Sequence, residues 1–161
     1  MPPDPLAQPE EAIRRLYGYV SYRIGPGPDA EDVVSTTIER ALAYRSSYDP
    51  RRGSPAAWLA GIANRCIADF TRGRTRLDLA ALDAPEGFAE ELGARTELRA
   101  DLVRALAALD ARGRELIAQR SGADLSSKEI GRILDLKPGA VDVALHRTLG
   151  RLRGLLEQAD A

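Results

Sequence analysis

Between Leu125 and Leu156 the chain reads LSSKEIGRILDLKPGAVDVALHRTLGRLRGLL, and few arrangements other than two helices joined by a tight turn fit it. Ser126 and Glu129 have the Ser-x-x-Glu spacing of a capping box, in which each side chain accepts from the other residue's backbone N–H. Ile130, Ile133 and Leu134 follow at helical spacing and are expected to face the core. DLKPG then turns the chain, and Pro138 opens the next helix at its first position, where a missing N–H costs nothing. On a helical wheel Val141, Leu145, Thr148 and Leu152 share the buried side of this last helix, which turns Val143, His146, Arg147, Gly150 and Gly154 outward.

A solvent-facing helix has no use for a valine and two glycines. A helix lying in a DNA major groove does, because small residues permit close approach and an apolar group can meet a thymine methyl. Arg147 can pair with guanine or with a phosphate. Asp142, on the flank, repels phosphates unless it accepts from a cytosine amine. The competing reading makes Val143 part of a protein–protein surface.

The remainder also reads as helix. Only 5% of the residues are aromatic, and Ala, Leu, Arg and Glu dominate. A first helix is expected from about Pro9 to Arg23, ended by GPGP at Gly25 to Pro28. A second opens with Asp29 as N-cap and Asp32 three positions on, buries Ala30, Val34, Ile38 or Thr37, and Ala41, and runs to about Arg45. Ser46 to Pro55 is a loop by composition. Ser54 as N-cap with Pro55 behind it begins a third helix, whose Trp58, Leu59, Ile62, Cys66, Ile67 and Phe70 face inward and which ends at Arg72, Arg74 and Arg76. Leu77 to Ala94 holds five acidic residues and no basic one, interrupted by Pro85, Gly87 and Gly93, and reads as a linker. Helical spacing returns at Leu98, Leu102, Ala105 and Leu109, and a short helix after Asp110 carries Leu116 and Ile117. The expected fold is all-α, two small helical domains over residues 1–76 and 95–161 with 77–94 between them.

Net charge is −1 for the 161 residues, but it is not evenly spread: residues 1–39 carry −4, 40–76 carry +6, 77–110 carry −5 and 111–161 carry +2. Groove binding needs local positive potential and not a positive total, so alternating blocks are consistent with different segments meeting different partners. One cysteine, Cys66, permits no internal disulfide, and a single distant histidine, His146, leaves no zinc set. Cys66 is expected in the core. No apolar run approaches a membrane span, and MPPDPLAQPEEAI lacks the basic and apolar regions of a signal peptide. The expectation is a reduced, cytoplasmic setting without membrane insertion. With no nucleophile–base pair, phosphate-cradling glycine loop or metal set, no cofactor, small-molecule substrate or catalysis is expected.

Three stretches together resemble the bacterial RNA polymerase sigma factors of the extracytoplasmic-function group. DAEDVVSTTIERAL (Asp29 to Leu42) is similar to the helix that docks on the polymerase clamp helices. GSPAAWLAGIANRCIADFTRGRTR (Gly53 to Arg76) is similar to the family's tryptophan-bearing helix. ALDARGRELI with the helix-turn-helix resembles the C-terminal domain that reads the upstream promoter element.

The resemblance implies a region 2-like domain that docks on polymerase and melts the minus-ten element, and a region 4-like domain for the minus-35 element. Asp29, Glu31, Asp32, Ser35, Thr36 and Glu39 would meet polymerase. Tyr48, Asp49, Arg51, Arg52 and Ser54 would form the loop that captures an unstacked base, with Arg65, Arg72, Arg74 and Arg76 tracking phosphates. Trp58 is taken as packing. Lys137, Asp142, Val143, His146, Arg147 and Arg151 would face the minus-35 duplex. Implied partners are core polymerase, through its clamp helices and flap, promoter DNA and an anti-sigma factor, and the acidic linker would occupy a positively lined polymerase channel.

The chain departs from the family pattern in three places. Ser35 and Thr36 stand where Gln-Glu is usual, and Asn64-Arg65 transposes a basic-then-Asn pair. Ala140 to Ala144 replaces Thr-Val-Lys-Ser-Arg and keeps only the core valine, so a different base preference is expected. Two other functions fit the same residues: a stand-alone helix-turn-helix regulator, and a sigma-like decoy that binds a regulatory protein and no DNA.

Overall fold

The computed structural model describes residues 3–73 and 96–159. Among these every regular element is helical. The N-terminal lobe holds α1 (Pro9–Ile24), α2 (Pro28–Ala43), a 3-10 turn (Arg45–Ser47) and α3 (Pro55–Gly73). The C-terminal lobe holds α4 (Thr96–Ala108), α5 (Ala111–Ile117), a π-turn (Ala118–Gly122), α6 (Ser127–Leu134) and α7 (Pro138–Ala159).

Local chemistry explains most boundaries. Between α1 and α2, Gly25 and Gly27 both adopt positive φ, 89° and 125°, which a side chain would oppose. Pro28 then takes the first position of α2 and Gly27 the cap, so the expected Asp29 cap is corrected: Pro28 is the better helix starter and moves Asp29 inside. Ser54 does cap α3, its hydroxyl accepting from the Ala57 N–H at 3.2 Å. Asp110 caps α5, accepting from Gly113 N–H at 2.7 Å. Both halves of the Ser126–Glu129 capping box are present at α6. That helix ends on Asp135 in the left-handed region, φ 56°, and Leu136 N–H donates to the Gly131 carbonyl at 2.8 Å.

In the N-terminal lobe α1, α2 and α3 pack on one another over Leu16, Val20, Ala30, Val33, Val34, Ala41, Leu59, Ala63 and Ile67. In the C-terminal lobe α7 supplies the predicted stripe, with Val141 fully buried and Leu145, Thr148 and Leu152 nearly so, against α4, α5 and α6. Cys66 is buried as expected. Ile133 departs from expectation: at 37% exposure it sits on the rim of α6, while Ile130 is fully buried and Leu134 packs against the core.

The two lobes are packed together. One continuous core runs from the α1–α3 bundle into Leu116, Ala118, Ala123, Leu125, Ile130, Val141 and Leu145. The joint is α1 against the π-turn and α5. A Cβ on Gly18 would stand 2.8 Å from the Gly122 carbonyl oxygen, and one on Gly122 would stand 2.7 Å from Gly18 backbone, so the two backbones meet because neither residue has a side chain. Beside them Tyr19 donates its hydroxyl to Glu115 at 2.8 Å, while Arg23 and Gln119 each donate to the same carboxylate. Burial, then the Glu115 charge, pushes the Tyr19 phenol far above its ordinary range and keeps it a donor. The expected linker, Leu77 to Ala94, lies outside the described residues.

Candidate nucleic-acid interface

A groove of about 720 Å3 lies where the lobes meet. Its floor is Ala57, Trp58, Gly61 and Ile62 of α3. One wall is the 44–53 loop, and the other is Glu129, Arg132 and Ile133 of α6. Arg40, Arg52, Arg65 and Arg132 line it, which gives the apolar floor a mostly positive rim.

The loop is braced from within. Tyr48 is 8% exposed, donates to the Gly53 carbonyl at 3.0 Å and meets Trp58 edge to face, ring centres 5.5 Å apart. Tyr48 is thus the prop under the loop, and the half-exposed Trp58 it supports is the aromatic surface on the groove floor. Asp49 accepts from the Arg51 N–H at 3.0 Å and from its guanidinium at 3.3 Å, and the Arg51 backbone N–H, then its side chain, hold the Asp49 carboxyl below the usual carboxylate range. Asp69 is lowered likewise, by Arg40 first and Arg72 second. Arg51 is therefore paired with Asp49, while Arg40 and Arg72 share Asp69. Arg52, Arg65 and Arg132 of the groove make no ion pair within 4 Å among the described residues. Arg74 and Arg76 lie outside the described residues.

Across the groove the two lobes exchange hydrogen bonds. Ser54 donates to Glu129, and Arg132 donates to the Arg52 carbonyl at 3.4 Å. Burial tends to raise Glu129, but the combined hydrogen bonds from Ser54 and Ser126 outweigh it and leave the carboxyl below its ordinary value.

On α2, Asp32, Ser35, Thr36 and Glu39 are all exposed and recur at intervals of three and four, so they form one stripe on the side opposite Ala30, Val33, Val34 and Thr37. Leu42, 54% exposed, extends that stripe by one turn. Glu31 is exposed beside it, whereas Asp29 is half-buried at the helix start.

On α7, Val143, His146 and Arg147 are exposed as the wheel predicts, Val143 at 52%, and Arg151 and Lys137, the residue before the helix, are exposed as well. Asp142 is different. It accepts from Ser127 at the start of α6 and lies 3.8 Å from Arg120 of the π-turn, so it ties three elements together. Its side chain nevertheless stays 65% exposed. Arg151 lies 4.0 Å from Asp110.

Sequence reasoning missed Arg40, Arg132, Ile133 and Glu129 as parts of one site. Arg40 sits in the +6 segment and could have been found there. The others come from the opposite lobe, and no local pattern announces that contact. Among the described residues no His, Cys, Asp and Glu group could hold a metal ion, and no helix is long and apolar enough to cross a membrane.

The sequence profile of Sigma-70 region 2 matches residues 10–77 and that of Sigma-70 region 4 matches residues 99–152. The ECF RNA polymerase sigma factor SigF of Caulobacter vibrioides is 31% identical over 91% of this chain and 82% of its own. The structure of CnrH in complex with the cytosolic domain of CnrY is 26% identical, with a TM-score of 0.62 over 95% of this chain and 85% of that one. The sigma factor RpoE in complex with the anti-sigma factor NepR from Bartonella quintana shares the fold at a TM-score of 0.68 and 22% identity, over 91% of this chain and 92% of that one.

Proposed function

The chain belongs to the extracytoplasmic-function group of the sigma-70 family and directs promoter-specific transcription initiation by RNA polymerase, and from that premise we propose how its residues divide the work. Residues 1–76 dock on core polymerase and hold the minus-ten strand, residues 95–161 read the minus-35 duplex, and 77–94 connect them. The exposed α2 stripe of Asp32, Ser35, Thr36 and Glu39 is the docking face. Arg52 and Arg65 track the phosphates of the melted strand, and Trp58 with the braced 48–54 loop receives an unstacked base. Val143, His146 and Arg147 face the major groove, with Lys137 and Arg151 on adjoining phosphates.

The supporting observation is that all three surfaces are exposed on one chain, in the order in which the region 2 and region 4 profiles match it. The chain works by binding and not by catalysis: melting follows from preferring the open strand, against a stacking cost of about 1.4 kcal/mol per base-pair step. Its place of action is the cytoplasm, with the polymerase. A protein regulator of the anti-sigma kind completes the partners, on the likeness to CnrH, which was solved with a protein domain bound.

The test is in-vitro transcription with purified core polymerase, this protein and genomic fragments, with start sites mapped. Transcripts sharing upstream bases at two spaced positions are expected. Failure to co-purify with core polymerase, or absence of such transcripts, rejects the reading.

A further inference from the structure

We infer that residues 3–8, ahead of α1, form an arm that staples the minus-ten loop at its base, and that Asp4 is a positioning residue for strand capture through its hold on Arg45. This rests on the sigma-factor reading above, but the region 2 profile, whose match begins at residue 10, does not include the arm. The arm is itself fixed in place. The Asp4 carboxylate accepts from the Leu6 N–H at 2.9 Å and its carbonyl from the Ala7 N–H at 3.2 Å, which closes a turn. Pro5 is buried and Leu6 packs against the core. Arg45 then meets Asp4 across 41 residues of sequence: its Nε donates to one carboxylate oxygen at 2.7 Å and a terminal nitrogen donates to the other. Such a two-pronged pairing specifies orientation as well as proximity.

Arg45 stands where the loop begins. It opens the 3-10 turn Arg45–Ser47, and its carbonyl accepts from the Tyr48 N–H at 3.3 Å. Ser47 closes the same turn, its N–H and its hydroxyl both donating to the Tyr44 carbonyl, at 2.9 and 2.6 Å. Tyr48 in turn props Trp58, so the side chain that Asp4 grips lies one turn ahead of the ring that supports the groove floor. The arm also reaches the far end of the loop. Asp4, Pro5 and Ala7 border a cleft of about 410 Å3 together with Pro55, Ala56 and Leu59 at the start of α3. A loop already held in its capturing shape does not have to be ordered when the strand arrives, and that is what a staple at both stems contributes. An acid that only muted an arginine would need proximity alone, whereas Asp4 is set by its own turn and engaged by two prongs. With 47% and 36% of their side chains exposed, Arg45 and Asp4 lend the fold little stability, so their loss should show in the loop and not in the melting curve.

Asp4→Ala, Arg45→Ala and the double replacement, each in the full chain, test this. Trp58 is the chain's one tryptophan, so acrylamide quenching of its fluorescence reports on the loop in the free protein. Each single variant should raise the quenching while the melting curve and the binding of core polymerase stay as in the wild type. With polymerase on a mapped promoter, permanganate reactivity of the minus-ten thymines should fall roughly threefold in each, and the double variant should be no worse than the worse single one. Asp4→Asn, which can still accept from the Leu6 N–H but offers Arg45 no second oxygen, should match Asp4→Ala. Unchanged quenching and reactivity in Asp4→Ala, or additive losses in the double variant, overturn the staple. A gain in reactivity in Asp4→Ala overturns it too, because Asp4 would then only mask a phosphate contact of Arg45. All three outcomes leave the sigma reading standing. Wild-type protein that opens no promoter with core polymerase overturns that reading instead, and the quenching then still decides whether the arm holds the loop.

Discussion

Arg23 of α1 and Glu115 of α5 form an ion pair 92 residues apart in sequence, with only 19% and 12% of their side chains exposed. It is the charged centre of the joint between the lobes. Removing one member leaves the other charge buried without its counterpart, so Glu115→Ala should destabilise the protein by about 3 kcal/mol in urea unfolding. The double replacement Arg23→Met with Glu115→Leu should cost less than the single one, because it leaves no orphaned charge. Equal losses for the two would mean that the pair is not a unit.

Asp142→Asn keeps the shape of the side chain while weakening its hold on Ser127 and Arg120. The expected outcome is a loss of about 1 kcal/mol in stability with promoter base preference unchanged. Relaxed preference at a single cytosine would restore Asp142 as a base reader.

Arg147→Ala removes the exposed guanidinium on the groove-facing side of α7. A bidentate contact to a base is worth about 1–3 kcal/mol of discrimination, so initiation should fall roughly tenfold and one upstream base should lose its effect. A uniform loss across promoter sequences would assign Arg147 to a phosphate. The free protein should bind duplex promoter poorly in a mobility-shift assay, since polymerase tethers both lobes and raises their effective concentration.

Asp32→Arg reverses a charge on the α2 stripe without touching the buried face of that helix. Core polymerase should be bound at least tenfold more weakly in a pull-down titration, with an unaltered melting curve. Unchanged binding would move the docking face elsewhere.

The pH dependence follows from Glu129, whose carboxyl is held below its ordinary value of 4.5. A depressed folded-state pKa adds stability that is present above the unfolded value and lost as pH falls through the folded one. The melting temperature should therefore drop as pH falls below about 4.5, and the drop should be shallower in Glu129→Gln. Asp4, Asp49 and Asp69, lowered by Arg45, by Arg51 and by Arg40 with Arg72, add to the same fall in both proteins.

Much of this was legible in the sequence, for local reasons. Caps at Ser54 and Ser126, the breakers at Gly25 and Gly27 and the stripe from Val141 to Leu152 each depend on neighbours within a turn or two, and the structure has them where the spacing predicts. The Asp29 cap was misread because two valid start signals competed and the proline prevailed. That Tyr48 turns its ring down against Trp58 was not legible, because a loop tyrosine gives no sign of whether its ring points down or out. The joint between the lobes left no trace at all. Gly18, Tyr19 and Arg23 sit in an ordinary amphipathic helix, and only the arrival of Gly122 and Glu115 from far along the chain gives them a purpose.

Ser54 sits at the crossing of these threads. Its oxygen accepts the Ala57 N–H that starts α3, while its proton goes to Glu129, which holds the start of α6 through Ser126 by a separate oxygen. Turning that proton from a carboxylate to a phosphate would exchange one anion for another and leave both helix beginnings intact.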